Sequence, residues 1–227
     1  MTTSSDRRRA RELAAEYAGK GDPTGWFEVL YQEAEEGKSI VPWADRGANS
    51  SLIEFWSRDP QPTNGKQALA IACGLGDDAE QLAAWGFETT AFDISETAIR
   101  TARKRFPKSE VSYCVADLFE PPAEWEGMFD FVFEANTVQA LPRGIRAKAI
   151  ERIAGFVKPG GKLLAIVRGR ELHEPEGELP WPLTRAELGE FVRAGLTERT
   201  FEEYFDTEEP PARRYRVLYA RKREDMK

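Results

Sequence analysis

Two glycines and two carboxylates carry the chemistry that is legible first in this chain of 227 residues. A short apolar run ends in Ala72-Cys73-Gly74-Leu75-Gly76. Glycines at such a place allow a tight turn, let a ligand touch backbone, and leave the amides of the next helix pointing at it. About 20 residues on, Ala91-Phe92-Asp93-Ile94-Ser95 ends a second run with a carboxylate able to accept hydrogen bonds from ribose hydroxyls. A third run ends in Ala116-Asp117-Leu118. Acidic residues after two successive strands point to a nucleoside with a ribose and an amino-bearing base. Plainer roles suit the same residues: a strand-to-helix turn at Gly74 and Gly76, and a helix N-cap at Asp93 or Ser95.

These residues need strands that bring their ends to one rim, and the chain supplies them. Apolar runs at Ala68 to Ala72, Thr89 to Phe92, Val111 to Val115, Phe129 to Phe133 and Lys162 to Val167 read as strands. Helical patterns alternate with them at Asp78 to Trp85, Ser95 to Phe106 and Ile145 to Val157. Continuously apolar strands alternating with helices imply a parallel sheet covered on both faces, with its ligand at the carboxyl ends of the strands. A helix over Thr184 to Ala194 follows, and then Thr197 to Phe205 and Arg214 to Ala220 read as strands. The link between those two, Asp206 to Arg213, is too short for a crossover helix, so they form an antiparallel hairpin. Before the sheet, Ser5 to Ala18, Trp26 to Glu36 and Ser50 to Trp56 read as helices, with an irregular loop at Val41 to Gly47. The expected organisation is a helical cap or lid over residues 1–66 and a core over 67–227, in one compact domain.

Composition removes several function classes. The net charge is −7, which argues against a nucleic-acid partner and against an anionic membrane surface. Apolar runs such as Leu163 to Val167 are far short of the roughly 20 residues that span a bilayer. The N-terminal Asp6-Arg7-Arg8-Arg9-Ala10-Arg11-Glu12 lacks the apolar segment of a secretory signal, so a cytoplasmic protein is expected. Two cysteines and one histidine exclude a zinc site built from several such ligands, and no metal site is expected. His173 lies in a polar stretch with no nucleophile elbow to match it, and reads as an exposed loop residue. Cys73 and Cys114, assigned to the first and third strands, read as small apolar packing residues.

Gly74-x-Gly76-x-x-Ala79 also fits a dinucleotide fingerprint, which keeps a NAD-binding protein as an alternative. Against it, the chain continues into a hairpin rather than a sixth parallel strand, and Asp117 sits badly beside a pyrophosphate.

From Gln67 to Lys222 the order of elements and motifs resembles the class I S-adenosylmethionine-dependent methyltransferases. Ala72-Cys73-Gly74-Leu75-Gly76 resembles the family's first motif, which holds the methionine part of the cofactor. Asp93, with Ile94 beside it, matches the ribose-binding acid, and Asp117-Leu118 the adenine edge. Phe129-Asp130-Phe131-Val132 resembles the fourth strand, and Lys158-Pro159-Gly160-Gly161 the turn before the fifth. The fold this implies is Rossmann-like: a seven-stranded, mostly parallel α/β sheet with helices on both faces, a C-terminal antiparallel hairpin and an N-terminal helical lid.

Trp26-Phe27-Glu28-x-Leu30-Tyr31 and Val41-Pro42-Trp43-x-Asp45-Arg46-Gly47 resemble the thiopurine S-methyltransferase-like branch, with thiol and halide methyltransferases among its members. That resemblance assigns Trp43 to close over the cofactor, and Trp26 and Arg146 to the substrate side. Trp43 is also suited to tying the N-terminal helices to the sheet. Asn136, after the fourth strand, is a further cofactor contact.

The implied activity is methylation of a small molecule, foremost a thiol, with S-adenosylmethionine as cofactor. O- or N-methylation of a metabolite is the alternative. A thiol with a pKa near 8.5 is already partly thiolate at pH 7, so no residue is assigned as catalytic base. The Asn-Pro-Pro-aromatic motif of base methyltransferases is missing from Glu134-Ala135-Asn136-Thr137. A monomer or weak homodimer acting on a small-molecule substrate is expected.

Overall fold

The computed structural model describes residues 4–44 and 47–223; Asp45 and Arg46 of the expected lid motif lie outside the described residues. Three helices, α1 (Ser4–Gly19), α2 (Trp26–Glu35) and α3 (Ser50–Arg58), precede the sheet. Then come β1 (Gln67–Ile71), α4 (Asp77–Ala84), β2 (Glu88–Asp93), α5 (Glu96–Arg105), β3 (Ser112–Val115), β4 (Phe129–Ala135), α6 (Arg143–Gly155) and β5 (Val157–Arg168). Two short turns, α7 (Arg185–Leu188) and α8 (Glu190–Arg193), lead to β6 (Leu196–Phe205) and β7 (Arg213–Arg221).

The seven strands lie in the order β3-β2-β1-β4-β5-β7-β6. Pairs among β1 to β5 are parallel, and β7 joins antiparallel to both β5 and β6. The order reverses between β1 and β4, and such a reversal opens a crevice at the carboxyl ends of the strands.

Alternation along the strands assigns the two faces. Phe131 and Phe133 of β4 pack with Ala79 and Leu82 of α4 and with Ile99 and Ala102 of α5. Val132, between them, packs with Ile150 and Ile153 of α6 and Phe191 of α8. A smaller cluster joins α1 and α2, through Leu13, Trp26 and Leu30, to Leu179. The three helices before the sheet therefore do not form one layer. Leu52 and Trp56 of α3 belong to the sheet core, while α1 and α2 form the separate cap cluster.

Some boundaries differ from expectation. The helix expected to run to Val157 ends at Gly155, and β5 begins at Val157, opposite Phe129. Lys158-Pro159-Gly160-Gly161 is thus a bulged start of the strand, where the register shifts between Phe129 and Phe131. The helix expected over Thr184 to Ala194 is two single turns meeting at Gly189, the first closed by a capping box between Thr184 and Glu187. Cys73 lies beyond β1, in the turn, and both Cys73 and Cys114 are free. No helix among the described residues is long and apolar enough to cross a membrane.

Candidate functional site

One cavity of about 700 Å³ opens at the carboxyl ends of the parallel strands, and residues from the cap, the sheet rim and the hairpin loop line it. A volume of that size is within the range of small-molecule and cofactor sites, about 300–1,000 Å³.

The turn after β1 forms its floor. Ala72, Gly74 and Gly76 all have positive φ, at 46°, 53° and 91°. At Gly76 a Cβ would stand 2.4 Å from the Tyr113 hydroxyl, so only glycine combines that backbone angle with that neighbour. Gly76 builds the turn without lining the cavity, whereas Cys73 and Gly74 both line it. A Cβ on Gly74 would meet the Tyr31 hydroxyl at 2.8 Å.

Asp93 ends β2 at the crevice and is buried. Its Oδ2 accepts from the Gly74 amide and its Oδ1 from the Ser95 amide, both at 2.9 Å. Burial pushes its carboxyl up to about 6, against the pull of those amides. The N-cap of α5 is Ser95, whose Oγ accepts from the Ala98 amide, so Asp93 is free of that duty. Asp93 is itself part of the cavity wall. Asp117 also lines the cavity, with its Oδ1 accepting from the Phe119 amide at 2.8 Å in an Asx turn that presents Leu118 and Phe119. Ile94 lines it beside Asp93.

The next helix start decides which cofactor this floor suits. The first turn of α4 carries Asp77, Asp78 and Glu80. Asp77 is paired with Arg105 at 2.6 Å, while Asp78 accepts the Asn49 amide at 2.6 Å with no ion pair among the described residues, and burial raises its carboxyl to about 6. A pyrophosphate placed there meets carboxylates where a dinucleotide fold needs bare amides, which removes the NAD alternative. A cofactor with an ammonium and a sulfonium meets the charge it needs. The residues present therefore fit S-adenosylmethionine: Asp93 for the ribose hydroxyls, Asp117 and Leu118 for the adenine, and the Gly74 turn with Asp78 for the cationic methionine end.

Trp43 roofs the cavity, 38% exposed, with its Nε1 donating to the Tyr31 hydroxyl at 3.0 Å. Its ring stands edge-on to Phe27 and Tyr31, with centroids 6.3 Å apart in both pairs. Burial, reinforced by the Asp93 charge, holds the Tyr31 phenol well above its ordinary pKa, so it stays neutral. Asn136 lines the cavity after β4 in the left-handed region, φ 64°, which asparagine tolerates. Its Oδ1 accepts from Gln139 Nε2 at 3.1 Å and Arg214 Nη1 at 3.2 Å. Beneath it, Glu134 is fully buried, with Oε1 accepting the Thr137 and Val138 amides at 2.7 and 3.1 Å. The other oxygen has no partner among the described residues, and burial raises the carboxyl to about 7.

Two expected substrate residues sit elsewhere. Trp26 is 1% exposed in the cap cluster, stacked on Phe27 at 3.9 Å with its Nε1 donating to the Pro23 carbonyl. Phe27 faces the cavity in its place, because neighbouring helical positions differ by about 100°. Arg146 does not line the cavity either. It is 8% exposed, donating from Nε to the Leu141 carbonyl at 2.9 Å and from Nη1 to Glu187 at 3.0 Å. It ties α6 to α7 and sets the position of Leu141, which does reach the cavity.

The lining residues that sequence reasoning missed are chiefly Tyr31, Asp78, Arg7, Arg168, Arg214 and Glu208. Arg168 carried a readable signal, since it closes an apolar strand at the ligand rim. Arg214 is brought opposite it by the antiparallel register of β5 and β7.

A family profile described as a methyltransferase domain matches residues 68–161, from β1 into the start of β5. The chain is 25% identical over 156 residues to the thiopurine S-methyltransferase of Vibrio atlanticus (strain LGP32), covering 62% of this chain and 70% of that protein. It is 35% identical over 144 residues to the ubiquinone biosynthesis O-methyltransferase of Aromatoleum aromaticum (strain DSM 19018 / LMG 30748 / EbN1), covering 63% of this chain and 54% of that protein. Among solved structures, Burkholderia thailandensis 1,6-didemethyltoxoflavin-N1-methyltransferase, with bound 1,6-didemethyltoxoflavin and S-adenosylhomocysteine, superposes with a TM-score of 0.66. That match is 15% identical and covers 98% of this chain and 92% of that one. The matched segment is the half of the sheet that builds the cavity floor, and together with these relatives it marks the chain as an S-adenosylmethionine-dependent methyltransferase.

Proposed function

We propose that this methyltransferase acts on a small molecule and that the atom it methylates is the sulfur of a thiol. The observation that carries this reading is a cavity with aromatic and apolar side chains on part of its wall and no histidine among its described lining residues. Phe27, Trp43 and Leu141 line it, Tyr31 is held neutral, and Glu134 is turned into the loop after β4. His173, the single histidine, is exposed and does not line the cavity.

A nucleophile entering such a cavity has to ionise without help. A thiol does so to a few per cent at pH 7, whereas an alcohol or phenol needs its proton removed. When bound, S-adenosylmethionine would supply an electrophilic methyl group on a cationic sulfur for exchange to the thiolate. The chain's own residues place and shield that exchange. Asp93 and Asp117 hold the nucleoside, Trp43 turns an aromatic face to the cation, and the α1–α2 cap excludes water. The thiol proton leaves to solvent before transfer.

O-methylation is the second reading, favoured by the 35% identity to an O-methyltransferase. A panel of thiols, phenols and amines with methyl-labelled cofactor decides between them. Label in thioether products supports S-methylation, and label confined to aryl ethers or methylamines overturns it.

A further inference from the structure

The cationic side of the cavity is unexplained by cofactor binding. Arg168, at the end of β5, and Arg214, at the start of β7, are directly opposed across the antiparallel ladder. Their side chains are 16% and 14% exposed. Like charges opposed on one sheet face repel, and here they are also largely withdrawn from water. Burial and the Arg214 charge together pull the Arg168 pKa below its ordinary value. Arg7 approaches from α1, so three guanidinium groups converge where the sheet, the hairpin and the cap meet.

One carboxylate serves all three. Glu208 receives Arg7 at 2.9 Å and Arg214 at 2.8 Å, and also receives Arg168 Nη2. It belongs to no strand. It sits on the β6–β7 connection, where Asp206 Oδ1 accepts the Glu208 and Ala212 amides at 3.0 and 2.9 Å. Asp206 also takes Arg214 Nε at 2.6 Å, so three guanidinium groups are in contact with two carboxylates, and Glu209 lines the same cavity beside them. Glu208 is the half-exposed, loop-borne member of the group, and all three arginines and Glu208 line the same cavity as Asn136 and Leu141.

We propose that Arg7, Arg168 and Arg214 form a carboxylate-binding subsite, that Glu208 holds its place, and that the substrate is a small aromatic thiol bearing a carboxylate. Entry of the substrate carboxylate exchanges one anion for another, and Glu208 swings on its loop into water. The planar forks of the arginines match a carboxylate in a way that point charges do not. Arg214 Nη1 on Asn136 Oδ1 links the subsite to the rim that holds the cofactor. The identity of the nucleophile rests on the S-methylation reading; the subsite does not.

The test uses two thiols of equal size, 4-mercaptobenzoate and 4-mercaptobenzamide, and reads the ratio of their KM values within each protein. In wild type the benzoate should have the lower KM by tenfold or more. Arg168→Gln should bring the ratio down by on the order of ten- to a hundredfold, as expected for losing a charge-assisted hydrogen bond. Glu208→Gln should widen it several-fold by removing the internal competitor. Arg7→Gln carries the same test if Arg168→Gln fails to fold, judged by calorimetric titration with the cofactor. A ratio near one that neither variant moves overturns the subsite and leaves Glu208 a plain structural latch. The matched phenols, 4-hydroxybenzoate and 4-hydroxybenzamide, separate the two readings. Turnover of phenols alone, with the charge preference kept, refutes S-methylation and supports the subsite. Thiol turnover blind to charge does the reverse.

Discussion

Asp93 Oδ2 accepts the Gly74 amide at 2.9 Å, so the end of β2 is pinned to the turn after β1 at the crevice where strand order reverses. The bond orients the carboxylate and fixes the turn with one contact. Asp93→Ala should weaken S-adenosylmethionine binding on the order of ten- to a hundredfold in calorimetric titration, since it removes a buried charged acceptor. Asp93→Asn, which keeps one acceptor oxygen, should lose less. Unchanged affinity in the alanine variant would remove Asp93 from the cofactor site.

The same carboxyl predicts a pH dependence. Its folded pKa is raised to about 6 by burial, as is that of Asp78. For a raised acid the fold favours the protonated form, so its contribution to stability is present at low pH and is lost as pH rises through about 6. Cofactor binding runs the opposite way, because only the ionised carboxyl accepts from both ribose hydroxyls. The dissociation constant should climb several-fold as pH falls from 7 to 5, and Asp93→Asn should show a smaller climb, with Asp78 still titrating.

Glu134 predicts a stability effect with its own pH window. It is buried with one unpartnered oxygen, and its carboxyl is pushed up to about 7. Glu134→Gln removes the charge and keeps the acceptor for Thr137 and Val138. Relative to wild type, the variant should gain on the order of 2–3 kcal/mol between pH 5 and pH 8, read from denaturant unfolding at each pH. A pH-independent difference would mean that Glu134 is ionised without penalty.

Arg146 is expected to matter for folding rather than substrate. Arg146→Ala leaves the Leu141 carbonyl and the half-buried Glu187 without their partner, which should cost about 1–3 kcal/mol of stability. Cofactor affinity of the folded fraction should be unchanged. A variant with normal stability and a raised substrate KM would return Arg146 to the substrate side.

Trp43 and Tyr31 form the roof through the indole N–H bond to the phenol oxygen. Trp43→Ala should raise the KM for S-adenosylmethionine by roughly 2- to 30-fold, the range of an aromatic face against a cation at about 0.5–2 kcal/mol. Trp43→Phe should restore part of the loss, because it keeps the ring and drops only the hydrogen bond. Equal loss in both variants would assign the effect to positioning of Tyr31.

The sequence by itself determined which strand ends reach the cavity. Asp93, Asp117 and Gly74 each follow an apolar run, and in a parallel sheet the end of a run is a place on the rim; all three line the cavity. The same local logic put β6 and β7 into an antiparallel hairpin, since their link cannot hold a crossover. Tertiary packing alone decided the substrate side. Arg146 and Trp26 are on helices, where 100° of rotation separates a cavity position from a buried one, and burial of the neighbouring apolar residues sets that rotation. Arg168 and Arg214 are 46 positions apart and become a pair only through the β5–β7 register. Arg7 reaches them because α1 packs on α2 and Leu179. Position along a strand is written in local pattern, whereas helix rotation and cross-strand opposition are set by contacts between distant parts of the chain. For that reason the cavity floor was readable in the sequence and the arginine cluster was not.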